Sequence, residues 1–204
     1  RNGIVRLNTD GSLDQTFDPQ VGPQFNGIRN GVVQKDVFYE AAIHDFVIQP
    51  DGKIVIVGTF TSFNKVPQKY IARLNSDGSL DSTFKSGVGP SGDLERIFIQ
   101  PDGRLLIVGE FISYDREPVI GFARLNQDGS LDKSFKPELD NFVEAAAFYS
   151  NGDILLGGSF TKYNKKKVDK IVKINSQGVL DENFSLVNKF NGRIHSIAIR
   201  PDNQ

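Results

Sequence analysis

The chain has 204 residues, 38% of them hydrophobic and 24% charged, with a formal net charge of −1, so no global field favours nucleic acid or an anionic membrane surface. It contains no cysteine, which excludes disulfide scaffolds and thiolate metal centres, and its apolar runs are far too short to span a bilayer. It opens on Arg1, which fits a processed or excised piece, and any signal peptide would lie upstream.

The first element in chain order is Arg6-Leu7-Asn8-Thr9-Asp10-Gly11-Ser12-Leu13-Asp14, followed by Phe17. The same pattern returns from Arg73 to Asp81 with Phe84, from Arg124 to Asp132 with Phe135, and more weakly from Lys173 to Asp181 with Phe184. A second pattern precedes each later copy. Ile48 to Gly58 matches Ile99 to Gly109 and Phe148 to Gly158, and Ile199 begins another. Its turns start at positions 50, 101, 150 and 201, a period near 50 residues.

Each unit reads as four short strands. In the first, Ile43 to Gln49 is strand one, and the pair Asp51-Gly52 marks a hairpin whose two central residues would both take positive φ. Strand two is Lys53 to Phe60, rich in Ile and Val. A loop from Thr61 to Gln68 leads to strand three, Lys69 to Asn75, and Asp77-Gly78 turns into a short strand four ending near Phe84. No stretch carries sustained helical periodicity, so the fold class is all-β.

Four antiparallel strands in about 50 residues is the size of a β-propeller blade. A β-sandwich or another β-repeat solenoid is the alternative. Residues 1–18 supply strands three and four, complete blades fall at 43–84, 94–135 and 143–184, and 193–204 starts another, which predicts a piece of a larger propeller. The pairing of QPDGKIVIVGTF with ARLNSDGSLDSTF resembles the delta-60 repeat family, bacterial and phage-associated repeats. The resemblance covers nearly the whole chain. It implies a β-propeller that is secreted, attached to the cell surface or carried on a virion, and it implies no particular activity.

Strand order places both Asp-Gly turns at one end of the blade and the two-to-three and four-to-one connections at the other, where binding residues are expected. One four-to-one connection stands out. Phe17 to Pro50 spans 33 positions, against 15 to 17 in the later units. The excess falls in an insertion at 20–41 that carries Phe25, Asn26, Arg29, Phe38 and Tyr39. Aromatics beside amides and charges suit a glycan or a protein partner, and a loop packed on its own scaffold is the competing reading. Phe63, Tyr114 and Tyr163 recur in the two-to-three loops, either as a ring that stacks on sugars or as anchors tucked between blades.

His44, Glu95, Glu144 and His195 share one position at the start of strand one. Facing the channel, they would form a polar ring at its mouth, too wide for all four to share one metal. The aspartates of the repeat, such as Asp10 and Asp14 or Asp77 and Asp81, could supply oxygens to calcium. Turn geometry and pairing of Asp14, Asp81, Asp132 and Asp181 with Arg6, Arg73, Arg124 and Lys173 explain them without an ion. The reading is that no metal or cofactor is needed. No nucleophile elbow, phosphate loop or zinc-protease motif is present, which leaves a carboxylate pair involving Glu95 or Glu144, or a Ser-His-Asp triad built on one of the two histidines, as catalytic arrangements. The expectation is a non-enzymatic module that binds a glycan or protein, with an architectural role in an adhesin, appendage or virion as the alternative. No nucleic acid or membrane insertion is expected.

Overall fold

The computed structural model describes residues 3–25, 28–29, 32–33, 41–184 and 190–200, with backbone pairing alone for 28–29 and 32–33. No helix occurs among the described residues. Three antiparallel sheets repeat one plan, with an inner, a middle and an outer strand. They are Ile43–Ile48, Ile54–Gly58 and Ile71–Leu74; Leu94–Ile99, Leu105–Gly109 and Phe122–Leu125; and Val143–Phe148, Ile154–Gly158 and Ile171–Ile174. These are the blades of a β-propeller.

The packing argues against a two-sheet sandwich, in which one face of each sheet stays wet. Every residue of the three middle strands is buried. Alternate residues of the second middle strand enter different cores. Leu105 and Ile107 join Val55, Val57 and Ile71 of the first blade, whereas Leu106 and Val108 join Ile154, Leu156 and Val172 of the third. A third core holds Phe17, Ile54, Ile56 and Phe60. A strand buried on both faces needs an unbroken apolar run, which is why the middle strands read Ile-Val-Ile-Val rather than alternating.

The Asp-Gly turns differ from expectation. Gly52 takes φ +82° and Gly78 +90°, but neither Asp51 nor Asp77 is left-handed. Gly52 N–H donates to Gln49 O at 2.9 Å and Gln49 N–H to Lys53 O at 2.8 Å. This is a type I turn closed by a left-handed glycine, and Pro50, with φ fixed near −65°, requires it at the first central position. Asp51 Oδ1 accepts the Lys53 amide at 3.1 Å, and Asp77 Oδ1 accepts both the amide and the hydroxyl of Ser79.

Two-residue turns with both central residues left-handed do occur, inside the two-to-three connections. Ser62–Phe63 pairs with Val66–Pro67 around Asn64 (φ 49°) and Lys65 (φ 65°). Asp115-Arg116 and Asn164-Lys165 repeat that turn in the next blades. The first turn residue also clasps the preceding connection. Asn64 N–H donates to Gly22 O and Asn64 Oδ1 accepts the Gly22 amide. Asp115 does this with Gly89 O and the Val88 amide, and Asn164 with both backbone groups of Glu138.

Strand four shrinks to one bridge per blade, Leu74↔Leu80, Leu125↔Leu131 and Ile174↔Leu180. An aspartate ends it. Asp81 Oδ2 accepts Arg73 Nε at 2.7 Å, and its Oδ1 accepts the Thr83 amide and hydroxyl. Arg73 also lies over the Phe84 ring and donates to Gln127 O of the next blade at 2.8 Å. Arg124, Asp132 and Phe135 repeat this bolt, with Arg124 donating to Ser176 O. In water such pairs contribute little, but Arg73, Asp81, Arg124 and Asp132 are all buried, so breaking one strands a charge.

Candidate functional site

Each inner strand carries a β-bulge at its first turn of pairing. Ile43 faces Gly58 and Asp45 faces Val57, so His44 is the extra residue; Glu95 and Glu144 hold the same place in the next blades. Bulges re-aim side chains and favour functional rims. Glycine makes this one fit. A Cβ on Gly58, Gly109 or Gly158 would lie within 2.3 Å of the carbonyl oxygen of Ala42, Asp93 or Phe142. That carbonyl accepts the amide of the residue after the glycine, as in Glu110 N–H to Asp93 O at 2.9 Å.

The three bulges and His195, which lies in a segment without strand pairing, place the four mouth residues as two pairs rather than one ring. His44 Nδ1 stands 2.9 Å from Leu94 O, which places its proton on Nδ1, and 3.5 Å from Glu95 Oε2. His195 Nδ1 stands 2.6 Å from Glu144 Oε2, and Arg193 Nη1 is 3.9 Å from the other oxygen of Glu144. No three histidine or acidic side chains converge as a metal site among the described residues. A cleft of about 280 Å³ opens between the pairs, lined by Glu95, Arg96, Glu110, Glu144, Arg193 and His195. A smaller one, about 230 Å³, shares Arg96, Glu144 and His195 and adds Asp45. Among the described residues Arg96 has no carboxylate within ion-pair distance.

The aromatic ring of the two-to-three connections is a correction. Phe63, Tyr114 and Tyr163 are each 0% exposed and cannot stack on a sugar. Tyr114 Oη donates to Gly129 O at 2.8 Å and Tyr163 Oη to Gly178 O at 2.6 Å. Burial pushes both phenols well above the ordinary tyrosine range. These bonds also show that the two-to-three hairpin folds along the outer edge and reaches the Asp-Gly turn, so it does not build the long-loop face. What remains on that face is the last part of each four-to-one connection and the start of the inner strands, because the connections begin beside the next Asp-Gly turn and run along the hairpin.

In the insertion, Phe25 is half-buried and Pro23–Gln24 pairs with Ser62–Phe63. Ile28–Arg29 pairs with Val32–Val33, and the Arg29 side chain, Asn26, Phe38 and Tyr39 lie outside the described residues. The repeat aspartates are engaged by protein donors. Asp14 accepts Arg6 on Oδ2 and Thr16 on Oδ1, and Asp10 accepts Ser12. The Thr16 hydroxyl and amide, then Arg6, hold the Asp14 carboxyl down at about 2.

A family model described as a β-propeller domain of unknown function, DUF5122, matches residues 1–17, 49–84, 100–135 and 150–184. The chain belongs to this family. No curated protein matches it. The segments matched to DUF5122 hold the bolts, the hairpins and the buried aromatics. They exclude His44, Glu95, Arg96, Glu144, Arg193 and His195.

Sequence reasoning found the mouth position but missed the bulge, the clasps and Arg96. A signal for the bulge was present, because glycine recurs at 58, 109 and 158 at the end of each middle strand. The clasps also left a trace, an Asn or Asp before a cation at 64, 115 and 164, without the glycine that usually marks such turns.

Proposed function

We propose that this chain is a non-enzymatic recognition module of a DUF5122 propeller and binds a glycan or protein at the mouth formed by the inner-strand bulges. The observation that carries the reading is the cleft between the two His–Glu pairs, where Arg96 stands without an ion-pair partner among the described residues beside Glu95, Glu144 and Arg193. A partner with a carboxylate and several hydroxyl or amide groups matches that set, with Arg96 taking the anion and the glutamates accepting donors. Both glutamates stand beside histidines and keep oxygens that can accept donors from a ligand. The likeness to delta-60 repeats supports a secreted, surface-attached or virion-borne location.

The test is a glycan array, followed by partner capture, with the intact protein, a deletion of 26–40, and Arg96→Ala with Arg193→Ala. The deletion stops short of Pro23–Gln24, because that strand and the Gly22–Asn64 clasp belong to the scaffold. Binding lost in the double variant, with unchanged unfolding, supports the mouth; retained binding removes it. A second reading, an attachment or spacer segment, is favoured by the bolts from Arg6 to Ser76 O, Arg73 to Gln127 O and Arg124 to Ser176 O. They tie blade to blade, as a stack held under tension would need. No partner in either assay would favour it.

A further inference from the structure

The junction between the second and third blades lacks an ion pair that the preceding junction has. There, Lys85 follows Phe84 and its Nζ sits 3.1 Å from Asp128 Oδ2, the aspartate of the next Asp-Gly turn. One repeat later Lys136 follows Phe135, and Gln177 occupies the aspartate's place. Lys136 has no carboxylate within ion-pair distance among the described residues. Nor does the Gln177 side chain serve the turn. Asn175 Oδ1 accepts the amides of Gln177 and Val179, replacing the Ser130-to-Asp128 bonds of the second blade.

An open cleft of about 430 Å³ lies at this junction, its lining including Lys136, Pro137, Asn164, Lys166, Gln177 and Val179. That volume is in the range of small-ligand sites. Lys166 is neutralised by Glu182 at 2.8 Å, so Lys136 supplies the net charge. Val179 replaces Ser130 of the second blade and is 60% exposed, giving the cleft an apolar wall beside its amides. Asn164, in the same lining, uses its Oδ1 for the Glu138 amide, and its Nδ2 is a donor group.

We propose that this cleft binds an acidic sugar residue, a pyranose bearing one carboxylate. The carboxylate takes the position that Asp128 holds opposite Lys85, now opposite Lys136. The Gln177 and Asn164 amides meet ring hydroxyls, and the apolar face of the ring lies on Val179 and Pro137. An extended acidic peptide fits less well, because it would add to a free strand edge. Here the hairpin edge is already bridged by Leu139↔Tyr163. The site is separate from the mouth and does not depend on it.

The experiment titrates the whole chain with glucuronate, with glucose and acetate as controls, and repeats the titration on Gln177→Asp and Lys136→Ala. Gln177→Asp restores the pair seen at Lys85–Asp128, so it should fill the cleft while the fold melts no lower than the parent. The expected result is saturable glucuronate binding, none with glucose, much weaker binding with acetate, and a loss of about tenfold or more in each variant. Three outcomes overturn the proposal: no saturation with glucuronate, acetate binding as tightly as glucuronate, or glucuronate binding unchanged in either variant.

Discussion

Two of the blade junctions, between the first and second blades and between the second and third, share one scaffold and differ in how charge is spread over it. At the first, Asp81 accepts both Arg73 at 2.7 Å and Lys53 at 2.8 Å, and Lys85 pairs with Asp128. At the second, Asp132 accepts Arg124 at 2.8 Å with Arg104 farther off at 3.6 Å, and Lys136 faces Gln177. On the hairpin edge the Glu117–Lys133 pair of the second blade becomes Lys166–Glu182 in the third, the same contact with its charges exchanged. Turn and clasp geometry thus persist under different residues, whereas the rim charge varies. A function specific to this chain belongs where the charge changes and the geometry does not.

The largest effect should come from breaking a bolt. Arg124→Ala leaves buried Asp132 with one distant cation and should cost about 3–5 kcal/mol in urea unfolding. Arg73→Ala leaves Asp81 its Lys53 partner and should cost clearly less, about 2 kcal/mol. Equal losses would break the comparison. Next come the buried phenols. Tyr114→Phe and Tyr163→Phe each remove a hydrogen bond to a glycine carbonyl and should cost about 1–2 kcal/mol, and Tyr114→Phe, away from the cleft, should leave glucuronate binding unchanged.

Exchanging residues between the junctions separates charge from geometry. Asp128→Gln should free Lys85 and weaken acid sensitivity. The Ser130 hydroxyl and amide, then Lys85, hold the Asp128 carboxyl down at about 2. Its folded value is below the unfolded one, so its stabilising contribution is full above about pH 4 and fades as the pH falls through about 2. The variant should lose less stability than the parent across that window, read by melting temperature against pH. The smallest effect belongs to the exposed edge. Glu117→Lys together with Lys133→Glu copies the polarity of the third blade and should melt like the parent, while either change alone should melt slightly lower.

Much of the scaffold was legible because the repeat states it several times. The period gave the blades, and the Arg–Asp pairing could be anticipated from their constant spacing. The aromatics at 63, 114 and 163 admitted two readings, since a ring on a loop looks the same in sequence whether it faces water or a neighbouring blade. Tyr114 is decided by a contact fifteen residues away, and that contact depends on the hairpin folding down the edge. The bulge stayed hidden because it rests on the approach of Gly58 to a carbonyl across the strand pair. Gln177 was visible as a departure from the motif. Its consequence was not, because Lys136 lies on the other side of a blade junction and no local pattern joins them.

The proposal that Gln177, in place of an aspartate opposite Lys136, makes an acidic-sugar site between the second and third blades can be read from backbone amide resonances of the labelled protein during titration with glucuronate. Saturable shifts should appear at Lys136, Asn164, Gln177 and Val179, with their counterparts Lys85, Asp115, Asp128 and Ser130 unmoved in the same sample. Equal shifts at both junctions, or none at either, would contradict it.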